Sequence, residues 1–255
     1  MILLTVKDLT HHFGGLCALS DYNLELKADE LLGIIGPNGA GKTTIFNLIT
    51  GVYKPTKGSI RLEETEISGK RPNAITGLGI ARTFQNIRLF SELSLLDNIR
   101  IAHYAKTIYH PLSALFQTDG FGSEETRVLN HSRELLAFFG LENEHQTSAK
   151  NLPYGLQRQL EIARALATKP KILLLDEPAA GMNPKEIENL MTLIAKIKKE
   201  FALTIIIIEH QMRLVMNICP RIQVLNFGTV IAEGNPKEIQ THQGVINAYL
   251  GKKLK

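Results

Sequence analysis

The rhythm of apolar and polar positions changes twice along the chain. The first third alternates or runs in short apolar blocks, as strands do. These blocks are Leu3–Leu9, Tyr22–Leu26 and Ser59–Leu62, with Tyr22, Leu24 and Leu26 on one face of a pleat. Leu31–Ile35 is a continuous apolar strand that runs into a glycine-rich loop. A helix is predicted from Thr43 to Thr50, stopping at Gly51. From Asp97 to Leu141 β-branched runs disappear and the chain reads mainly as helix, with Ser132–Phe139 ending at Gly140. An irregular insertion is predicted over 110–123, around Pro111, Gly120 and Gly122. The last third returns to strands and helices in alternation. Ile172–Leu175 and Thr204–Ile208 are apolar enough to be buried on both faces. Asn183-Pro184 reads as an N-cap and first-turn proline. The helix they open carries the stripe Ile187, Leu190, Ile194, Ile197 and Phe201. Val224–Leu225 and Val230–Ala232 read as a hairpin around Gly228. Buried strands alternating with helices predict a parallel sheet covered on both faces, with the helical middle inserted as a subdomain.

Composition narrows the class. A chain of 255 residues with 44% hydrophobic and 21% charged positions can bury a core without disulfides or metals, and disorder is excluded. No apolar run approaches the roughly 20 residues of a membrane helix. Ile2-Leu3-Leu4 is too short for a secretory leader. The chain is therefore expected in the cytosol, or on a membrane only through a partner. Lys and Arg (29) barely exceed Asp and Glu (25), which points to a solvated surface and not to a nucleic-acid groove. Cys17 and Cys219 lie far apart, so reduced thiols are expected, with no disulfide framework or zinc site.

Three segments carry chemistry. Gly36-Pro37-Asn38-Gly39-Ala40-Gly41-Lys42-Thr43 matches the P-loop pattern, follows an apolar strand and opens a helix. Its glycines let backbone N–H groups converge on phosphate oxygens, and the helix N-terminus adds positive dipole. Lys42, expected in a solvated loop, would reach the β/γ-phosphates; Thr43 would ligate Mg²⁺, and Thr44 follows it into the nucleotide site. In Ile172-Leu173-Leu174-Leu175-Asp176-Glu177, a buried strand delivers two carboxylates at its C-terminal end, where ligands bind in open α/β sheets. Asp176 is assigned to the metal and Glu177 to the general base. A second buried strand ends at Glu209-His210, which places His210 where an imidazole can donate to a transferring phosphoryl group.

With Gln85 in Thr83-Phe84-Gln85, the segment Leu152-Pro153-Tyr154-Gly155-Leu156-Gln157 and Gly181-Met182-Asn183, these motifs fall in the order and spacing of an ABC transporter ATPase subunit. Nearly the whole chain resembles that family. Tyr154-Gly155, the run Asp176 to Pro184, the insertion and the tail Val245 to Gly251 resemble the LivG-like ATPases of branched-chain (hydrophobic) amino-acid importers. The resemblance implies a P-loop NTPase (RecA-like) parallel sheet core with an N-terminal antiparallel β subdomain and an inserted α-helical subdomain. Residues 1–90 and 165–255 would form the nucleotide-binding core, and 91–164 the helical subdomain with the signature.

The resemblance also implies roles. Two ATPase subunits, paralogous or identical, would clamp two ATP molecules, each between one chain's P-loop and the other's signature at Tyr154, Gly155 and Gln157. Leu156, Leu160, Ala163 and Ala167 form a buried stripe behind that site; an ordinary amphipathic helix with Arg158 and Glu161 solvated explains the stripe but not the glycine at its start. Pro153 stands where the family commonly has serine, so one hydroxyl contact to the γ-phosphate is missing, and Asn183 stands for the usual aspartate. Phe13 would stack on adenine, and Gln85 would ligate Mg²⁺ and water. Ile87, Leu89 and Phe90 would help line a groove for a permease helix, the rival being packing within the helical subdomain. The implied protein hydrolyses ATP with Mg²⁺ on the cytoplasmic face of the inner or cell membrane. It binds permease subunits there, and a periplasmic or extracellular solute-binding protein supplies cargo. Other cargo (urea, amides) leaves the ATPase unchanged. A soluble ABC protein of DNA repair or translation is disfavoured by one unit with a short insertion, and a GTPase by the lack of Asn-Lys-x-Asp.

Overall fold

The computed structural model describes residues 1–104 and 119–250. The chain starts with β1 (Ile2–Phe13), β2 (Leu16–Lys27), β3 (Leu31–Ile35), α1 (Lys42–Ile49), β4 (Lys57–Leu62), β5 (Thr65–Glu66), α2 (Pro72–Leu78) and β6 (Ile80–Arg82). The middle holds α3 (Leu95–His103), α4 (Asp119–Phe138) and α5 (Tyr154–Ala167). The last third holds β7 (Ile172–Asp176), α6 (Pro184–Glu200), β8 (Thr204–Ile208), α7 (Met212–Ile218), β9 (Arg221–Asn226), β10 (Thr229–Gly234), α8 (Pro236–Thr241) and α9 (Gln243–Leu250).

One sheet is antiparallel, in the order β2-β1-β4-β5; the other runs β10-β9-β3-β8-β7-β6 and is parallel from β9 to β6, with β10 as an antiparallel edge. Every residue of β3, β7 and β8 is buried, as continuous apolar runs in a covered sheet should be. The pleat sorts them into two layers. Leu31, Ile35, Leu173, Leu175, Ile205 and Ile207 join α5, α6, α7 and the middle helices in one cluster. Leu32, Ile34, Leu174, Ile206 and Ile208 face α1 and the antiparallel sheet in another. Gly33 lets α7 approach closely: a Cβ there would lie 2.7 Å from Val215 Cγ1. Tyr22 Oη, fully buried, donates to Gln223 Oε1 at 2.7 Å and joins the two sheets.

Two local expectations change. Residues 119–123, read as part of an irregular insertion, lie in α4; the rest of that stretch, 110–118, is outside the described residues. Gly120 and Gly122 each cost a helix about 1 kcal/mol, which burial of Val128, Leu135 and Leu136 further along offsets. Gly140 does end this region, at φ 69. The strand expected at Leu3–Leu9 continues to Phe13, and β6 escaped the reading because three residues carry no period.

Candidate active site

The loop between β3 and α1 folds around its own lysine. Lys42, the first residue of α1, is buried, contrary to a solvated loop, and its Nζ donates to Gly36 O (2.7 Å) and Pro37 O (3.0 Å). Burial pushes its pKa down, while Glu177 and then Asp176 push it up. The loop needs glycine at two places: Gly36 (φ 151), where a Cβ would lie 2.2 Å from Leu225 O, and Gly41 (φ 102), where it would lie 2.7 Å from Ala18 O. Gly228, in the β9–β10 turn, donates to Ala40 O at 3.0 Å and ties the hairpin to the loop.

A cavity of about 760 Å³ opens over this loop. Asn38 to Thr44 line one wall, and Gln85, Glu177 and His210 reach it from three other segments. Leu16, Cys17, Ala18 and Phe227 close its far side. Glu177 follows β7 at φ 46, a conformation uncommon for a side chain of this size. Its N–H donates to Ile208 O (2.9 Å), so pairing with β8 holds the turn. Gln85 Nε2 donates to Glu177 Oε2 at 2.8 Å, and His210 Nδ1 lies 3.5 Å from the same oxygen. A groove of about 980 Å³ at the other end of β3, beside Lys27, Glu30, Lys198 and Pro236, gathers no comparable set of groups.

The other candidates stand apart from this cavity. Asp176 is buried below it, with Oδ2 held by Arg82 Nη2 at 2.7 Å. Phe13 is half-exposed, pairs with Leu16 across the β1–β2 turn, and contacts His11 and Tyr53 edge-on. Tyr154, Gly155 and Gln157 lie on the first turn of α5, away from the P-loop cavity. No side chain caps that helix start, and Pro153 and Tyr154 are exposed. The Gln157 amide donates to Leu152 O at 2.8 Å, within its own segment. Asn183 caps α6 in a reciprocal pair with Glu186.

Among the buried polar residues that escaped the sequence reading, four anchor loops or the start of α5. Arg158 and Glu161, which an ordinary amphipathic helix would leave in solvent, are 0% and 2% exposed and form an ion pair at 2.7 Å. Glu209 accepts from the N–H groups of Ala179 (2.7 Å), His210 (3.0 Å) and Gln211 (3.1 Å); burial raises its pKa. Asn98 accepts from Phe90 N and donates to Phe90 O and Ser94 O, fixing the turn before α3. The only hint in the sequence was placement: a carboxylate directly after an apolar strand, and an opposite pair three apart on a helix with little polar face.

A strand, a phosphate-cradling loop and a helix, with two carboxylates ending the strand next but one in the sheet, define a P-loop nucleoside triphosphatase. The family pattern described as "ABC transporter" matches residues 19–180, and a second, "Branched-chain amino acid ATP-binding cassette transporter", matches 229–254. The chain belongs to the ABC transporter ATP-binding family and is an ATP-binding ATPase. It is 46% identical over 249 residues, 98% of both chains, to the high-affinity branched-chain amino acid transport ATP-binding protein LivG of Salmonella typhimurium. It is 45% identical, with the same coverage, to BraF of Pseudomonas aeruginosa. A crystal structure of the ADP conformation of an ATP-binding cassette of an ABC transporter superposes with a TM-score of 0.86 at 31% identity, covering 99% of this chain and 100% of that one. A dimeric post-hydrolysis cassette bound to ADP and Pi superposes at 0.75 with 26% identity, covering 92% and 99%.

Proposed function

We propose that the chain is the ATP-hydrolysing subunit of an importer for branched-chain or hydrophobic amino acids, seated on the cytoplasmic side of a membrane permease. The observation that carries the catalytic part is the convergence of Lys42, Thr43, Gln85, Glu177 and His210 on one cavity. The cargo rests on the tail pattern at 229–254 and on relatives similar over their whole length. Among the described residues no helix is long and apolar enough to cross a membrane, so a separate permease supplies the pathway.

Mechanistically, the P-loop amides and Lys42 hold the β/γ-phosphates, and Phe13 offers a ring face to the base. The donor set fits Mg²⁺: Thr43 Oγ1, the Gln85 carbonyl oxygen left free by its Nε2 bond to Glu177, and the Asp176 oxygen not held by Arg82 are all hard oxygens. When bound, Mg²⁺ neutralises charge developing on the phosphate oxygens. Water attacks the γ-phosphorus in line as the bond to the β–γ bridging oxygen breaks and ADP leaves; the water's proton passes to Glu177, while His210 donates a hydrogen bond to the phosphoryl group in transfer. The uncapped first turn of α5, at Tyr154 and Gly155, serves the nucleotide of a second ATPase subunit. The helices of 91–164 carry that turn. Of Ile87, Leu89 and Phe90, Leu89 packs against the core, and half-exposed Phe90 with Leu93 and Ile101 offers the permease an apolar surface.

Reconstitution with permease subunits and a solute-binding protein tests this reading. ATP-dependent uptake of leucine, isoleucine or valine into vesicles is expected. Stimulated ATPase with uptake of an unrelated solute alone would refute the cargo, and absence of ATPase under every assembly would refute the site.

A further inference from the structure

The first turn of α5 and the Gln85 segment are joined by a buried ionic strut. Arg158 Nη1 donates to Phe84 O (2.6 Å) and to Glu161 Oε2 (2.7 Å), and Nη2 donates to Gln85 O (2.7 Å). Glu161 Oε1 accepts the N–H groups of Phe84 and Arg88, both at 3.3 Å. One side chain thus holds the segment's carbonyls and the other its amides. Arg158 also donates to Tyr154 Oη (3.2 Å), and the Tyr154 ring lies against Gly181 in the turn after β7. Arg158 Nε has no partner among the described residues. A buried pair of this kind is weak as a source of stability, because desolvation offsets much of its attraction. Its geometry has a different use: it bolts a loop without secondary structure to a helix.

We propose that Arg158, oriented by Glu161, is a positioning residue for hydrolysis, fixing the backbone of residues 84–88 to the first turn of α5. The distance from Gln85 to Glu177 and the aim of the α5 N-terminus are then set together. This rests on the reading above, in which Gln85 serves the chain's own nucleotide and the α5 start serves the partner subunit's. The strut makes one rigid unit of two groups that act on different ATP molecules.

The test uses the full chain carrying Arg158→Met together with Glu161→Met, since removing one partner alone leaves a buried charge and risks misfolding. Three quantities are measured: melting temperature, amide exchange at Phe84 and Arg88, and steady-state ATPase. The expected result is a melting temperature close to that of the unmodified protein and exchange at both amides at least about tenfold faster. MgATP affinity of the isolated subunit should be unchanged, with kcat lower by about ten- to a hundredfold, the range for a slightly misplaced catalytic group. Unchanged kcat despite faster exchange, or unchanged exchange, would overturn the proposal; so would a kcat loss matched by the fraction unfolded. ATP-driven association, measured by light scattering on Glu177→Gln with and without the double substitution, separates the two readings. If Glu177→Gln alone never associates with itself or a paralogue, the two-subunit reading fails, while exchange and kcat still decide the strut. If it associates and the double substitution weakens this at least about tenfold, the strut also serves the partner's nucleotide.

Discussion

Replacing Glu177 with Gln separates binding from chemistry. The amide keeps the shape of the carboxylate and can still accept from Gln85 Nε2, now 2.8 Å away, so the stability change should stay within about 1 kcal/mol. The charge that is lost is the largest acidic influence on Lys42, ahead of Asp176. Removing it leaves the lysine's attraction for phosphate less opposed and lifts repulsion against the γ-phosphate. ATP should therefore bind as well or more tightly. Turnover should fall by about 10²–10⁴, the usual contribution of a positioned base, which is about 3–5 kcal/mol of barrier. Phosphate release under saturating MgATP gives kcat, and filter binding gives affinity for the same preparation. A variant that binds ATP and keeps kcat within about threefold would remove Glu177 from the proton's path and leave the 3.5 Å contact to His210 without catalytic meaning.

Lys42→Ala should abolish ATPase and weaken nucleotide binding; it also removes the donor to Gly36 O, while Pro37 O keeps the Ala40 N–H at 3.1 Å, so a melting-temperature loss worth about 1–3 kcal/mol is expected. Gly36→Ala should be worse for the fold, since φ 151 and a backbone oxygen at 2.2 Å leave no room, and poor soluble yield or a sharply lower melting temperature would register it. Phe13→Ala should cost about 1–3 kcal/mol of binding for ATP and GTP alike, and unchanged titrations would assign Phe13 to its contacts with His11 and Tyr53. The His103 ring lies 3.1 Å from His131; burial, then the neighbouring imidazole, holds its pKa down to about 4. The folded state thus refuses a proton that the unfolded chain takes near pH 6.5, so stability present above that pH is lost on acidification towards 4. His103→Asn should flatten the fall of melting temperature over that window.

The centre of the parallel sheet could be read from sequence because β3, β7 and β8 are apolar at nearly every position and the turns that follow carry glycine or an N-cap. The P-loop could be read because spacing, preceding strand and following helix agree. Hydrophobic period does not report a polar side chain buried for its hydrogen bonds. Leu156, Leu160, Ala163 and Ala167 give α5 one apolar stripe, and an ordinary amphipathic helix would leave Arg158 and Glu161 to solvent. In the fold Ile162, Ala165 and Leu166 are buried too, and Arg158 and Glu161 fill the remaining face under the Gln85 segment. Conformation is equally silent: nothing in Asp176-Glu177-Pro178 announces that Glu177 adopts φ 46. That turn depends on pairing with β8, a contact between residues distant in sequence.

The buried charges cluster in a way that stability alone does not require. Arg82 holds Asp176, Glu209 holds Ala179 and His210, and the Arg158–Glu161 pair holds Phe84, Gln85 and Arg88. Glu209 and the Arg158–Glu161 pair bind backbone groups of loops. Such loops have no ladder of their own, and an apolar side chain of equal volume could fill the space without fixing them. All three lie directly behind a residue that lines the nucleotide cavity or precedes one that does: Asp176 before Glu177, His210, and Gln85. A chain selected only to fold would gain as much from well-packed hydrocarbon at these places. Charges at all three, each with backbone or carboxylate partners at hydrogen-bond distance, fit a requirement for position: Gln85, Glu177 and His210 sit on loops, and a buried charged group anchors a residue in or next to each of them.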